Sequence, residues 1–259
     1  MRVFFLFLML CFLGTTAIFA QDRSTTSEVR SALWYYTKAK IRISDRFAIS
    51  SDNRIRTVSP VNETGNILNS FNQVRIHKSI NYLLSPNMEL SLGGTYAAYY
   101  NEIVEEDEVN VRHEPRVWYQ SVFIHPKVGR FSFYHRLRVE HRFRRSFQEG
   151  DDFHLVNRFR YRFSTYVPLN KKQLQIGSYF NYTSAEIFMQ AGERIVRNPY
   201  EDFRFHTAFG SIVSKNLKVM AGYVWRYGQL DLGHEYRQFH MIRIDVAFSF
   251  DVRSRKGIP

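Results

Sequence analysis

Arginine occupies alternate positions in two neighbouring segments of the chain. In residues 131–143 the basic positions surround one acid, Glu140, and in residues 153–163 an Arg-x-Arg-x-Arg run begins at Arg158. Guanidinium groups carry a permanent charge and pair well with carboxylates and other planar anions. Groups at this spacing could therefore hold an anionic solute or form ion pairs with acids of the same protein. We predict a charge ladder formed by Arg136, Arg138, Glu140, Arg142, Arg158, Arg160, Arg162 and Glu114.

Two interpretations of this charge ladder remain open. Like charges that face each other on neighbouring strands are unfavourable unless acids intervene, and Glu140 and Glu114 are the candidate acids. In the first interpretation, ion pairs fill the interior of a small barrel, which leaves room mainly for side chains. In the second, the arginines line a narrow anion-preferring pore or a cavity for small anionic solutes. Further arginines on other predicted strands favour the second interpretation: Arg54, Arg56, Arg204, Arg226 and Arg243.

The sequence contains no catalytic or metal-binding constellation of comparable specificity. A hydrolase needs a hydroxyl nucleophile beside an oriented histidine, but the sequence contains no Gly-x-Ser-x-Gly turn and no His-Glu-x-x-His motif. The histidines considered are His113, His135, His141, His154, His206, His234 and His240. We predict a non-enzymatic protein without catalytic residues, metal site or cofactor. The alternative is a membrane-embedded lipid hydrolase or acyltransferase, which only the precedent of other barrels favours.

His135 and His141 pose a separate question because they share the apolar face of one predicted strand. They are six residues apart, a separation of roughly 20 Å along a strand, which is too long for the two to ligate one metal ion. An imidazole is unexpected on a face that contacts lipid. Either the two residues lie near opposite interfaces of a membrane or the strand contains a bulge.

The alternation itself requires β-strands, because successive side chains of a strand point to opposite faces. Phe159 and Tyr161 share one face, whereas Arg158 and Arg160 share the other. A strand with two such faces fits between lipid and a wet interior. Many predicted strands exceed the usual length of about 5–6 residues and match the ~9–11 residues that cross a bilayer at a tilt. Strands are predicted near residues 29–42, 46–57, 70–84, 88–100, 114–125, 129–144, 153–167, 172–188, 202–213, 217–228 and 237–250.

The predicted fold class is all-β, a transmembrane antiparallel up-and-down β-barrel of about 10–12 strands. Short turns such as Pro126-Lys127 and Pro168-Leu169-Asn170 alternate with long loops such as 101–113, an asymmetry typical of outer-membrane barrels. The sequence yields eleven strands, although bacterial single-chain barrels have an even number. Either the first segment is not a full spanning strand or one strand has been missed. A soluble sandwich or lipocalin-like barrel would bury the apolar face, so the exposure of that face distinguishes the two architectures.

The first twenty residues predict a cleaved secretory signal peptide. Arg2 provides a positive start, residues 3–13 form an apolar run, and small residues end the segment. The run is too short for a spanning helix, and no later segment predicts one. The predicted domains are a signal peptide, residues 1–20, and a single outer-membrane β-barrel domain, residues 21–259. Cys11, the one cysteine, lies inside the predicted signal, which excludes disulfides and thiolate metal sites from the mature chain.

The formal net charge of +12 would suggest a nucleic-acid partner in a cytoplasmic protein. The predicted export signal argues against that partner, and the alternating arginines account for the charge. The alternating residues 242–250, with Phe248 and Phe250 near their end, resemble the closing strand that assembly machineries recognise in outer-membrane barrels.

Several segments resemble the outer-membrane barrel family named domain of unknown function 2490. The resemblance rests on residues 135–143, 157–162, 113–120, Leu33-Trp34 and Ala221-Gly222-Tyr223, and it covers nearly all of the chain after the predicted signal. It implies an outer-membrane location and a barrel, and it supplies no activity and no functional residues. We accordingly expect a porin-like protein of a Gram-negative bacterium. The expected partners are outer-membrane lipids and lipopolysaccharide, small anionic solutes, and the barrel-assembly machinery during biogenesis.

Overall fold

The computed structural model describes residues 28–60, 64–103, 108–124, 128–145, 150–193, 195, 198–229 and 236–253. The predicted signal peptide and the predicted turn at Pro126-Lys127 lie outside these residues. The described chain is all-β, as predicted. None of its elements is a helix long and apolar enough to cross a membrane. Its strands are β1 (Glu28–Arg42), β2 (Phe47–Val58), β3 (Ser70–Ser85), β4 (Met88–Ile103), β5 (Glu108–Ile124), β6 (Ser132–Arg144), β7 (His154–Pro168), β8 (Tyr179–Ala191), β9 (Tyr200–Ile212), β10 (Leu217–Gln229) and β11 (Tyr236–Asp251).

The sheet closes into a barrel through a parallel pairing of its first and last strands. Each strand is antiparallel to the next one along the chain, and β11 pairs with β1 from Glu28↔Arg237 to Arg42↔Asp251. An odd strand number makes a parallel closing pair unavoidable, because the first and last strands of an up-and-down barrel then run in the same direction. The prediction of a closed barrel within the expected range of strands is confirmed, while the closing pair departs from the antiparallel expectation. Neither a short first strand nor a missed strand is needed to explain the count, since β1 has 15 residues and pairs directly with β11.

The odd-numbered strands all finish at one end of the barrel, which we call the turn end. The opposite end, where the even-numbered strands finish, is the loop end. The predicted long loop at residues 101–113 is wrong, because most of it belongs to strands. β4 continues to Ile103 and β5 begins at Glu108, and these two residues are paired. The connections at the loop end and at the turn end therefore differ less in length than the sequence predicts.

The predicted strand at residues 172–188 is also displaced, because residues 169–178 form an ordered turn and β8 begins only at Tyr179. The side-chain amide of Asn170 donates to the Gly177 carbonyl at 2.9 Å, and its carbonyl oxygen accepts the Tyr179 N–H at 2.8 Å. The Ser178 hydroxyl accepts the Gln175 N–H at 2.9 Å. Gly177 has φ of 78°, which glycine adopts without steric cost. These local bonds compete with strand extension at the turn end.

The outer face of the barrel is apolar and exposed. Leu137 is 58 %, Phe159 49 % and Phe209 69 % exposed, and each of the eleven strands exposes at least one large apolar side chain. The arginines at the alternate positions of the same strands are buried inside, as Arg158 and Arg160 illustrate. A soluble barrel or sandwich would have the opposite arrangement, with its apolar face in the core.

Histidines on this outer face are hydrogen-bonded to neighbouring strands. His135 lies near the turn end of β6 and His141 near its loop end, and the pairing of β6 with β7 contains no register shift. The alternative of a bulge is therefore excluded, and the two histidines lie near opposite ends of β6. A polar group on an apolar surface is costly unless it is hydrogen-bonded. The outward pairs are His113 with Tyr96 at 2.6 Å, His135 with Tyr161 at 2.8 Å, His141 with Asn157 at 2.7 Å, and His240 with Tyr223 at 2.5 Å.

Candidate functional site

The residues of the predicted charge ladder all lie on β5, β6 and β7 and point into the barrel. Glu140 faces Arg158 directly in the register of β6 and β7, and Arg138 faces Arg160. Without further acids this arrangement would place arginine opposite arginine at successive levels of the lumen. The carboxylates that intervene are Glu140, Glu114 and two others that the sequence did not single out.

Glu140 is the centre of the ladder. It is 1 % exposed, and arginines from three strands surround its carboxylate. Arg160 donates to Oε1 at 2.5 Å and Arg158 donates to Oε2 at 3.3 Å. Arg138 and Arg116 approach to 3.5 and 3.6 Å. One buried carboxylate therefore lies between several guanidinium groups and reduces their mutual repulsion.

Glu114 forms a second centre toward the loop end and is fully buried. Arg142 binds it with two parallel hydrogen bonds, of 2.8 Å from Nε and 3.0 Å from Nη2, the bidentate geometry that suits guanidinium and carboxylate. Arg116 lies 2.6 Å and Arg144 3.4 Å from the same carboxylate. Arg116 and Arg144 are absent from the predicted ladder, although each has the strand parity of a predicted neighbour and could have been found from it.

Glu186 on β8 and Glu201 on β9 are the acids that sequence reasoning missed. Glu186 accepts hydrogen bonds of 3.0 and 2.8 Å from Arg160 and also contacts Arg136. Glu201 accepts one of 2.7 Å from Arg142 and one of 2.5 Å from Arg158. These contacts connect the two centres into one network. We call it the lumen plug, and it consists of Glu114, Arg116, Arg136, Arg138, Glu140, Arg142, Arg144, Arg158, Arg160, Glu186 and Glu201.

Glu201 reaches the lumen because of a β-bulge. The register of β8 and β9 shifts so that Phe188 pairs with Asp202 and Met189 with Tyr200. Glu201 is thereby left without a partner on β8, and its carboxylate binds an interior arginine, as does that of the adjacent Asp202. In a regular strand, adjacent residues would face opposite sides, so the alternation in the sequence could not predict this contact.

The additional interior arginines named from the sequence, Arg54, Arg56, Arg204, Arg226 and Arg243, are also engaged. Asp202 accepts bonds from Arg204 at 3.0 Å and Arg226 at 2.9 Å, and Arg243 binds Asp245 through bonds of 2.7 and 2.8 Å. The other two of the additional arginines named from the sequence bind neutral partners: Arg54 binds Tyr36 and Gln73, and Arg56 binds Asn72.

Aromatic rings pack between the charges in the middle of the lumen. Trp34, Trp118 and Phe188 are at most 1 % exposed. The guanidinium of Arg138 stacks 4.1 Å from the Trp118 ring, and that of Arg160 lies 4.4 Å from the Phe188 ring. Such stacking partly replaces the hydration that a buried cation loses.

A cavity of about 570 Å³ occupies the turn-end half of the lumen. We call it the turn-end cavity. It extends from Lys215 in the exposed β9–β10 turn to Trp118, Arg138 and Arg160, where the lumen plug begins. His77 also lines it.

One hydroxyl–imidazole pair lies in this part of the lumen, and the sequence search did not include it. Thr95 Oγ1 is 2.5 Å from His77 Nδ1, and the two residues are directly opposite on β3 and β4. The His77 ring stacks on Trp118 with 4.3 Å between centroids. The carboxylate of Asp52 contacts Arg75 instead of the imidazole. Within the described part of the chain there is no group of three or more His, Cys, Asp or Glu side chains placed to hold a metal ion.

Comparison with known proteins identifies the family. The family described as protein of unknown function (DUF2490) matches residues 31–237, which include all strands from β2 to β10. No curated protein and no solved structure matches the chain. The resemblance found in the sequence is thus confirmed, and because the match spans well over half of its length, the chain belongs to the DUF2490 family.

Proposed function

We propose that this protein is a non-enzymatic barrel of the bacterial outer membrane whose lumen is closed by ion pairs. In this role it is a structural or interaction protein of the membrane and does not conduct solutes. The observation that carries the proposal is the combination of an exposed apolar outer face on every strand with a buried lumen plug.

The outer face supports the membrane location. Soluble monomers rarely expose a contiguous apolar patch of more than a few hundred Å², whereas here large apolar side chains are exposed all round the barrel. A closed barrel satisfies its backbone hydrogen bonds internally, which lipid requires of any spanning structure. The predicted signal peptide supplies the export route. Outer-membrane lipids and lipopolysaccharide would cover this face, and the assembly machinery would receive the chain during biogenesis.

The burial of the plug favours a closed lumen over a porin-like pore. Glu114 and Glu140 are at most 1 % exposed, and Arg142 and Arg158 are buried with them. Ions in a water-filled channel remain hydrated, and carboxylates that line such a channel are accessible to solvent. The carboxylates of the lumen plug are instead enclosed by guanidinium groups and aromatic rings.

Two measurements test the proposal. The mature protein should fractionate with the outer membrane and should migrate differently on gels before and after boiling. Purified protein in planar bilayers should give no steady conductance above that of protein-free membranes. Recovery as a soluble periplasmic species would overturn the location, and stable single-channel steps would overturn the closed lumen.

The alternative of a lipid hydrolase or acyltransferase rests on the Thr95–His77 pair. Two features disfavour it: no carboxylate or amide within the described residues bonds to His77 to orient it, and Thr95 does not line the turn-end cavity. Hydrolysis of a short-chain ester or a phospholipid by the purified protein, lost in Thr95→Val, would establish this alternative. We expect no hydrolysis above background with either protein.

A further inference from the structure

We propose that the turn end of the lumen binds a small anion with a flat apolar body, of which an aromatic carboxylate is the simplest example. The site lies where the turn-end cavity meets a second cavity of about 230 Å³, which we call the side cavity. Arg162 and Lys218 line both cavities. The inference goes beyond the plugged barrel and does not depend on its membrane location.

Arg162 and Lys218 differ from the arginines of the lumen plug because neither forms an ion pair or a hydrogen bond with a carboxylate within the described residues. Glu186 lies opposite Arg162 in the register of β7 and β8, yet the hydrogen bonds it accepts come from two other arginines. Lys218 Nζ lies 5.0 Å from the centroid of the Tyr166 ring. A partly buried cation that lacks an ion-pair partner is unfavourable, and a bound anion would relieve that cost. A carboxylate where the two cavities meet could accept a hydrogen bond from the cation nearest to it.

His206 provides independent evidence for a ligand in the turn-end cavity. The residue is 3 % exposed, and neither of its ring nitrogens has a hydrogen-bond partner within the described chain. Its side chain lines the cavity and packs edge-on against Tyr182, with 5.1 Å between ring centroids. Buried polar groups are normally hydrogen-bonded. An anionic oxygen in the cavity would accept the N–H of this imidazole.

The side cavity defines the apolar part of the ligand. Its wall includes Val122, Leu174 and the aromatic rings of Tyr166, Phe180 and Tyr182. The Tyr166 ring lies 5.6 Å from that of Phe180 and 4.8 Å from that of Tyr182, so the wall offers flat surfaces for stacking. Its volume lies below the range of about 300–1,000 Å³ that is typical of sites for drug-sized ligands. A ligand whose apolar part is a single aromatic ring fits the volume of the side cavity.

The ordered turn at residues 169–178 gives the site its shape. Leu174, from the middle of this turn, packs against the cluster of Phe180, Tyr182, Ala208 and Met220. The hydrogen bonds of Asn170 and Ser178 hold the turn in place. Inorganic phosphate would engage the cations but leave the apolar wall uncovered, and a neutral aromatic molecule would do the reverse. Only an anion with an apolar body would both pair with the cations and cover the apolar wall of the side cavity.

The test is titration of the purified full mature chain in detergent micelles with benzoate as the probe, followed by calorimetry and by ligand-observed NMR. Benzamide, which has the same shape without the charge, and inorganic phosphate are titrated in parallel. We expect benzoate to bind and both reference compounds to bind about tenfold more weakly or worse, since a charge-assisted hydrogen bond contributes at least that factor. This comparison uses the unmodified protein and does not depend on the folding of any variant.

Arg162→Gln and Lys218→Gln should each weaken benzoate binding by about tenfold. Arg46→Gln is the matched control, because Arg46 is also at the turn end but is exposed and lines neither cavity. The proposal is overturned if benzoate does not bind at millimolar concentration, if benzamide or phosphate binds as tightly as benzoate, or if Arg46→Gln weakens binding as much as the two site variants.

Discussion

Glu140 accepts a hydrogen bond of 2.5 Å from Arg160, although the two residues are not paired across β6 and β7. The residue opposite Glu140 is Arg158, and the residue opposite Arg160 is Arg138. The contact is therefore diagonal, and it lets one carboxylate serve arginines at successive levels of the lumen. This geometry allows Arg-x-Arg-x-Arg to face the interior of a closed barrel without an acid directly opposite each arginine.

Replacing Glu140 by Ala should destabilise the barrel by about 3–5 kcal/mol, because several buried guanidinium groups lose their counter-charge. The measurement is the free energy of unfolding from denaturant titration in detergent or lipid vesicles. Glu28→Ala is the control: Glu28 pairs with Arg237 at the loop end and is much more exposed, so its loss should cost less than about 1 kcal/mol. Equal effects of the two substitutions, or a small effect of Glu140→Ala together with anion conductance, would mean that the lumen is wide and hydrated.

The faces of the strands could be predicted from the sequence because they depend only on alternation. Arg158 and Phe159 lie on opposite sides of β7, as a period of two requires. Alternation says nothing about partners that are distant in the chain, and the contact of Arg142 with Glu201 joins β6 to β9. The bulge at Glu201 also interrupts the alternation of inward and outward residues along β9. A prediction from alternation would therefore assign Glu201 and Asp202 to opposite faces.

The closure of the barrel could be predicted only once the number of strands is fixed. Eleven strands are predicted from the sequence, but the even number usual in bacterial barrels favours a short first strand or a further strand, and the direct pairing of β1 with β11 decides against both. The start of β8 is predicted too early because side-chain hydrogen bonds of Asn170 and Ser178 hold residues 169–178 in a turn. A pattern of apolar and polar residues does not reveal such bonds.

Substitution of Leu137 by Arg should hinder folding into bilayers. Leu137 is exposed near the middle of β6, and an arginine at the midplane of a lipid-facing strand costs about 2–4 kcal/mol. Ile41 is also exposed but lies at the turn end of β1, where the same substitution should cost only about 0–1 kcal/mol. Folding yields and unfolding free energies in vesicles compare the two. If both variants behaved alike, the outer face would not be lipid-exposed at this depth.

The parallel closing pair can be tested by cysteine cross-linking. Thr37 and Val246 are directly paired on β1 and β11, and paired residues lie within the Cα separation of up to about 7 Å that a disulfide can span. The variant with cysteine at both positions should form a disulfide on oxidation. The control pair is Thr37 with Ile242, because Ile242 pairs with Leu33 and is displaced from Val246 by roughly 13 Å along the strand. Efficient cross-linking of the control pair, or of neither pair, would contradict the register.

The last prediction concerns Gly93, which faces Trp118 across β4 and β5. A Cβ atom at Gly93 would lie 2.3 Å from the Trp118 ring and 2.4 Å from the Lys78 carbonyl oxygen, so the tryptophan can lie flat against the wall only if this position is glycine. The Trp118 ring in turn stacks against the guanidinium of Arg138 and the imidazole of His77. Gly93→Ala should therefore cost about 1–3 kcal/mol through overpacking and should shift the fluorescence of Trp118.

Gly94→Ala is the matched control for this substitution. The nearest atom to a Cβ at Gly94 is the Arg116 carbonyl oxygen at 3.7 Å, which is an ordinary contact. We expect the unfolding free energy to change by less than about 1 kcal/mol, in line with surface substitutions, and the tryptophan fluorescence to remain as in the unmodified protein. Assigning the spectral change to Trp118 requires the same comparison in a background in which the other tryptophans are replaced by phenylalanine. If Gly93→Ala and Gly94→Ala proved equally mild, Trp118 would not pack against the wall at Gly93 and the middle of the lumen would be less tightly filled than the contacts indicate.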